Sequence, residues 1–353
     1  MMKIAIIGGG FYGCYIAWKI SKTFKHIRID IFEKNNALIK ESGLNNQYRL
    51  HKGFHYPRSK KTILQTKFGS KLFEKEFKNF IFFPRRNFYL IHKKSKINFK
   101  NYTQIYRSKN IKFKKIDIKK LNFLKNYNEF QGVINTSEGV ILLDRLIPYL
   151  KNKVIKKCNI FLNKKIIKIN KITNEITDKN KKIYKDYDWI INCSYTDINL
   201  TNFNNLKIKF EIACMLRVKN FLSEPTGITI MDGPFVSLYP CNPKEISISS
   251  VIYTPYKKFR SLKALRNFNL QQNDLKRIQK NIIKHTKKYI NISNLNLNNI
   301  KYIYSPKVKV ENDIGDKRLA MVSINKKIIN VLCGKLDAAP IIWNKIKNKF
   351  IDS

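Results

Sequence analysis

No part of this sequence stays apolar for the roughly 18–20 consecutive residues that a membrane-spanning helix needs. Paired cysteines are missing too: Cys14, Cys158, Cys193, Cys214, Cys241 and Cys333 stand apart, with no CxxC element. That spacing excludes a zinc-ribbon pattern and offers no disulfide framework, so no metal site is expected. Scattered thiols of this kind behave as small hydrophobic groups. Acidic residues are few, 24 Asp and Glu against 70 Lys and Arg, and the formal net charge is +46. The lysines are spread along the chain beside abundant Asn and Ile, which reads as a general bias in residue usage. A nucleic-acid-binding module gathers its basic residues on one face or tail, so nucleic acid is not the expected partner. Internal repeats and flexible linkers are also absent. The apolar opening Ile4–Ile7 is too short for a secretory signal and runs into glycine without a cleavage site. The expectation is a buried strand in a cytoplasmic protein.

What is present suffices for a core. Of 353 residues, 43% are hydrophobic and 12% aromatic, enough for two domains or one large one. Ile4–Ile7 predicts a strand, 11–22 a helix and Ile27–Phe32 a second strand, a βαβ unit that implies a parallel sheet. After a loop, 61–77 predicts an amphipathic helix burying Leu64, Phe68, Leu72 and Phe73. Residues 143–150 read as a helix, 160–169 as one strand and 189–193 as another. Residues 209–218, 226–231, 235–239 and 246–253 alternate as antiparallel strands do. Residues 274–290 read as a helix, 319–324 and 328–333 as a hairpin, and 338–350 as a closing helix.

The sharpest signal is Gly8-Gly9-Gly10-Phe11-Tyr12-Gly13, a GxGxxG element. It follows an apolar strand, opens a helix, and is answered by Glu33 at the end of the next strand. Those three contexts together predict a dinucleotide site. Gly8 permits the turn, Gly10 lets backbone approach a pyrophosphate, and Gly13 lets helix and strand pack closely. The helix N-terminus then offers its N–H groups to the phosphates, and Glu33 accepts from a ribose. On these residues alone the ligand is NAD or FAD.

After Glu33 and Lys34 comes a long polar loop containing Ser42-Gly43-Leu44-Asn45-Asn46 and Arg49-Leu50-His51-Lys52-Gly53-Phe54-His55-Tyr56. Here the chain resembles the FAD-dependent oxidoreductases of the D-amino-acid oxidase type, which include glycine and sarcosine oxidases. The His51 run is similar to the branch that oxidises 2-hydroxyglutarate. Glu138-Gly139-Val140, Asp188–Cys193 and Gly334-Lys335-Leu336-Asp337 resemble three further segments of that family's FAD domain.

The resemblance implies an α/β fold in which a Rossmann-type FAD-binding domain is interleaved with an antiparallel-sheet α+β substrate domain. The first would take 1–75, 140–200 and 305–353, the second 76–139 and 201–304. FAD would rest on Gly8–Gly13, Glu33, Lys34, Asn46, Arg49, His51, Cys193 and the turn Gly334-Lys335-Leu336-Asp337. The implied reaction moves a hydride from a carbon of a small amino acid, amine or 2-hydroxy acid onto flavin. Electrons would then pass to oxygen, a quinone or another carrier. An alcohol substrate needs a base, for which His51 and His55 are the candidates. Arg49 and Arg58 are candidates to steady a flavin anion or a substrate carboxylate. Tyr56, Arg217, Tyr239 and Tyr253 are candidate substrate contacts, and Cys241 or Cys333 candidate sites of a covalent flavin bond. The alternative function is an RNA-modifying flavoprotein acting on a side group of a tRNA base.

Overall fold

The computed structural model describes residues 1–201, 203, 206–311, 319–332 and 334–351. Its first strand, Met2–Ile7, is buried on both faces, which is why it reads as an unbroken apolar run instead of an alternating one. Ile4 and Ile6 face the helices Phe11–Thr23, Leu143–Ile155 and Ala339–Ile346, while Ala5 and Ile7 face a small ribbon on the opposite side. That ribbon is antiparallel and consists of Ile166–Ile169, Ile176–Asp178 and Ile183–Tyr184.

Met2–Ile7 lies at the middle of a six-stranded sheet. The order is Met321–Asn325, Ile328–Leu332, Trp189–Asn192, Met2–Ile7, Ile27–Phe32 and Asn159–Phe161. Every pairing is parallel except the terminal hairpin Met321–Asn325 with Ile328–Leu332. A parallel sheet covered on both faces is the architecture that the glycine turn implied.

The second sheet has nine strands and is almost wholly antiparallel. Its long spine is Ile208–Lys219, flanked on one side by Glu245–Ser250, Val236–Asn242 and Thr226–Met231. Arg86–His92 then pairs in parallel with Thr226–Met231, followed by Phe130–Asn135 and Lys114–Ile116. Leu216, Ile228, Leu238, Ile246 and Ile248 form one face, packed with Ile278 and Ile282 of the helix Gln272–Thr286. Thr229, Ser237 and Ser249 sit in register on adjacent strands and look the other way, into the cavity described below.

Three expectations need correction. The helix Lys60–Phe77 forms, but it turns Ile63, Thr66, Gly69, Ser70, Phe73 and Phe77 inward and leaves Leu64 and Phe68 exposed. The middle of the inner face, Thr66, Gly69 and Ser70, is small because the helix is pressed there against the turn before the last helix. A Cβ on Gly69 would stand 2.9 Å from the carbonyl oxygen of Asp337. Residues 160–169 are not one strand: Asn163 adopts φ 56°, and the turn there sends Ile166–Ile169 into the ribbon. The ten-residue strand Lys301–Val310 was not foreseen; it pairs with Ile208–Lys219 in the larger sheet. The junction expected at 304–305 falls inside it.

Candidate active site

The glycine turn begins where the first strand ends. Gly8 adopts φ +99°, and a side chain there would meet the carbonyl oxygen of Cys193 at 2.6 Å. Gly13 is just as tight, since its Cβ would stand 2.0 Å from the carbonyl oxygen of Gly8. Both glycines are therefore demanded by packing. Gly10 differs: a Cβ there would meet nothing within 4 Å, because the residue faces a cavity. Gly9 donates its N–H to Oε2 of Glu33 at 2.8 Å, and the N–H of Asn35 donates to Oε1 at 2.9 Å. These bonds hold Glu33 at the cavity wall. Burial raises its pKa, and the two backbone donors oppose that shift.

The cavity has a volume of about 690 Å³, within the usual range for small-molecule sites. It runs from Gly8, Gly10, Phe11, Tyr12, Glu33 and Lys34, past Asn46, Cys193 and the turn Gly334-Lys335-Leu336, to the larger sheet. At the far end it is lined by Arg49, His51, His55, Tyr56, Arg58, Thr229, Asp232, Ser237 and Ser249. One wall therefore carries the dinucleotide signature, and the other is a row of sheet hydroxyls.

Between them, the loop after Glu33 is fixed by side chains. Asn46 accepts from the N–H of Tyr48 at 2.8 Å, and Ser42 donates to the carbonyl of Pro306 at 2.7 Å. Arg49 is fully buried at the floor. It donates through Nη1 to Tyr89 at 2.6 Å and through Nη2 to Thr229 and Ser237 at 2.9 Å, with the carboxylate of Glu138 3.7 Å away. Its guanidinium also lies 3.9 Å from the centre of the Tyr239 ring. Burial alone would disfavour its charge, but Tyr89, Tyr239 and Glu138 outweigh that and raise its pKa. Arg49 Nε has no hydrogen-bond partner among the described residues.

His51, His55 and Tyr56 form a ring cluster, with centroids 5.4–5.9 Å apart. The Lys335 ammonium sits 3.9 Å over the Tyr56 ring, and Tyr12 donates to the Lys335 carbonyl. Asp337 stands just behind and accepts from the N–H of His51 at 3.1 Å. Burial pushes its carboxyl up to about 7, against the pull of Lys335. At the mouth, Arg58 donates to Asp232 at 2.6 Å.

Most residues singled out from the sequence thus line one space. Gly9, Gly13 and Asp337 act from behind it, and four others among the described residues are elsewhere. Arg217 lies near the end of its strand, past the cavity lining, and is engaged by Glu245, Asp144 and Tyr48. Tyr239 is on the cavity face but too deep, with its hydroxyl on the Gly139 carbonyl at 2.8 Å and Arg49 above its ring. Tyr253 falls beyond the strand end at Ser250 and packs on His285. Cys241 is buried off the cavity, its thiol pushed up to about 12 by burial, and Cys333 lies outside the described residues. Gln47, Thr229, Asp232, Ser237 and Ser249 were missed. The serines carried a faint signal, alternating with Val, Leu and Ile in 236–250, but sheet pairing was needed to bring them together.

Comparison with known proteins agrees with this architecture. A model of the NAD(P)-binding Rossmann-like domain matches residues 6–62. The FAD-dependent monooxygenase FPY4 of Fusarium mangiferae is 26% identical over 264 residues, 73% of this chain and 66% of that protein. The match thus spans just under two thirds of that relative's length. Glycine oxidase from Geobacillus kaustophilus superposes with a TM-score of 0.73 at 10% identity, covering 99% of this chain and 94% of that one. An L-α-glycerophosphate oxidase from Mycoplasma pneumoniae, solved with FAD bound, gives 0.72 at 16% identity, with the same coverage. The architecture is that of these solved oxidases, and the segment that matches the Rossmann-like domain takes in Gly8–Gly13 and Glu33.

Proposed function

We propose that the protein is an FAD-dependent oxidoreductase acting on a small amino acid, amine or 2-hydroxy acid. The observation that carries this reading is the open Cβ direction of Gly10 beside Glu33, at one end of a cavity whose other end is polar. Gly8, Gly10 and the N-terminus of the helix Phe11–Thr23 would hold the pyrophosphate, and Glu33 the adenosine ribose. Asn46, His51, Cys193 and Gly334-Lys335-Leu336 would hold the ring system. Bound flavin accepts a hydride equivalent from a carbon bearing an amine or a hydroxyl.

The chain's own groups supply the rest. The Lys335 ammonium is a buried positive charge beside the ring cluster and steadies negative charge there. His51 or His55 takes the hydroxyl proton of a hydroxy acid. Lys96 brings positive charge to the wall and favours an anionic substrate, whereas the charge of Arg58 is offset by Asp232. Arg49 is neutralised by Glu138, so it positions the sheet hydroxyls in place of clamping a carboxylate. The name of the Fusarium relative favours a second reading, a monooxygenase, in which a nicotinamide cofactor and not the substrate reduces the flavin.

Anaerobic mixing with panels of amino acids, amines and 2-hydroxy acids separates these readings. Bleaching of the flavin by one panel member without a nicotinamide supports the proposal; bleaching only by a reduced nicotinamide supports the monooxygenase. With a hydroxy acid, His51→Ala should slow the bleaching by about 10²–10⁴-fold. An unchanged rate would leave His51 a structural residue.

A further inference from the structure

The helix Lys60–Phe77 has two apolar faces, and only one is used. Its inner face packs through Ile63, Phe73 and Phe77. On the outer face Leu64 and Phe68, one turn apart, are 45% and 52% exposed, and Leu72 continues the row half-buried. Exposed lysines surround that row: Lys60, Lys61, Lys67, Lys71 and Lys75. The helix's two acidic residues are turned aside, Glu74 to Lys52 at 3.0 Å and Glu76 to Lys19 and Tyr15. The result is an apolar ridge about 12 Å long at 1.5 Å per residue, set among cationic side chains.

We infer that this face docks on an anionic membrane surface, with Leu64 and Phe68 entering the headgroup boundary and the lysines meeting lipid phosphates. Charge complementarity selects this occupant. A second copy of the chain would set the same lysines against each other. A neutral apolar partner would strand them in a dry interface. An anionic bilayer takes both features at once, as interfacial amphipathic helices do. Among the described residues no helix is long and apolar enough to cross a membrane, so the contact is peripheral. The helix starts two residues after Arg58, a cavity-lining residue, so its N-terminal end adjoins the cavity. The inference does not depend on the proposed reaction.

The test is co-sedimentation of the purified full chain with phosphatidylcholine vesicles, with and without about 30% phosphatidylglycerol, at about 0.15 M salt. Three variants are compared with wild type: Leu64→Ser with Phe68→Ser, Lys60, Lys67 and Lys71 all to Ser, and Lys276, Lys280 and Lys284 all to Ser. The last set is exposed on the helix Gln272–Thr286 and controls for generic charge. Binding should require the anionic lipid, and each of the first two variants should weaken it about tenfold or more, with the control unchanged. Phe68→Trp should shift its emission to the blue on these vesicles; Trp18, Trp189 and Trp343 are buried and give a constant background. Equal losses from the control set, undiminished binding by the serine pair, or no binding would each overturn the inference. So would a blue shift without lipid, which would mean that a second copy covers the face.

Discussion

Single residues divide into those whose role is local and those whose role depends on a distant partner. The three glycines of the fingerprint were legible because the positive φ of Gly8, the open approach at Gly10 and the contact of Gly13 with Gly8 all lie within a few residues of sequence. Arg217, Tyr239 and Tyr253 were not: strand alternation gives a face but neither depth nor the strand end. Tyr239 shares a face with Ser237 yet sits beneath Arg49. Asp337 is the residue with a clear pH signature. Its carboxyl rises from an ordinary 3.8 to about 7, because burial outweighs the opposing Lys335, with Glu138 adding to the rise. The folded state thus binds a proton that the unfolded chain has released. Stability is fullest below about pH 4 and declines as pH rises toward 7, by at most about 4 kcal/mol at 1.36 per unit. Denaturation at pH 5 and pH 8 should show the wild type losing stability and Asp337→Asn losing markedly less. A mutant slope equal to wild type would remove Asp337 as the cause.

Elements show a similar division. The six-stranded sheet was readable from apolar runs and the glycine turn, since a strand buried on both faces has a plain sequence signature. The helix at 60–77 was readable as a helix but not in its orientation. Two apolar rows compete there, and a glycine contact 268 residues further on, at Asp337, decides between them. The strand Lys301–Val310 was obscured by its lysines, only two of its ten residues being buried. The small sheet of Arg49–Leu50, Gly139–Ile141 and Ile81–Phe82 joins the two larger ones, and its junction is the Arg49–Glu138 pair. Glu138 accepts from Tyr89 at 2.6 Å and from the N–H of Lys52 at 2.8 Å. Glu138→Ala would leave Arg49 charged in the interior without its carboxylate partner, at a cost of about 3–5 kcal/mol. Urea titration should show that loss; one below about 1 kcal/mol would mean that water or the tyrosines carry the guanidinium instead.

Across the whole molecule, the charge of +46 has a structural counterpart. Many of the few acids are spent indoors: Asp30, Glu33, Glu138, Asp178, Glu211, Asp232 and Asp337 are all buried. Lysines remain outside, so the surface is more cationic than the composition suggests, and anionic ligands will be drawn to it. That field tells nothing of the reaction, which is why substrate class was the least legible feature of the sequence. The two sheets and the cavity between them do bear on it, provided flavin is the ligand. The most direct measurement is the visible absorbance of the purified protein, with the released cofactor identified by mass, for wild type and Gly10→Val. The account predicts a yellow wild type carrying close to one FAD per chain, and a folded Gly10→Val protein that is colourless because a side chain fills the pyrophosphate position. A Gly10→Val protein with undiminished FAD, or a wild type that neither holds nor takes up flavin, would contradict it.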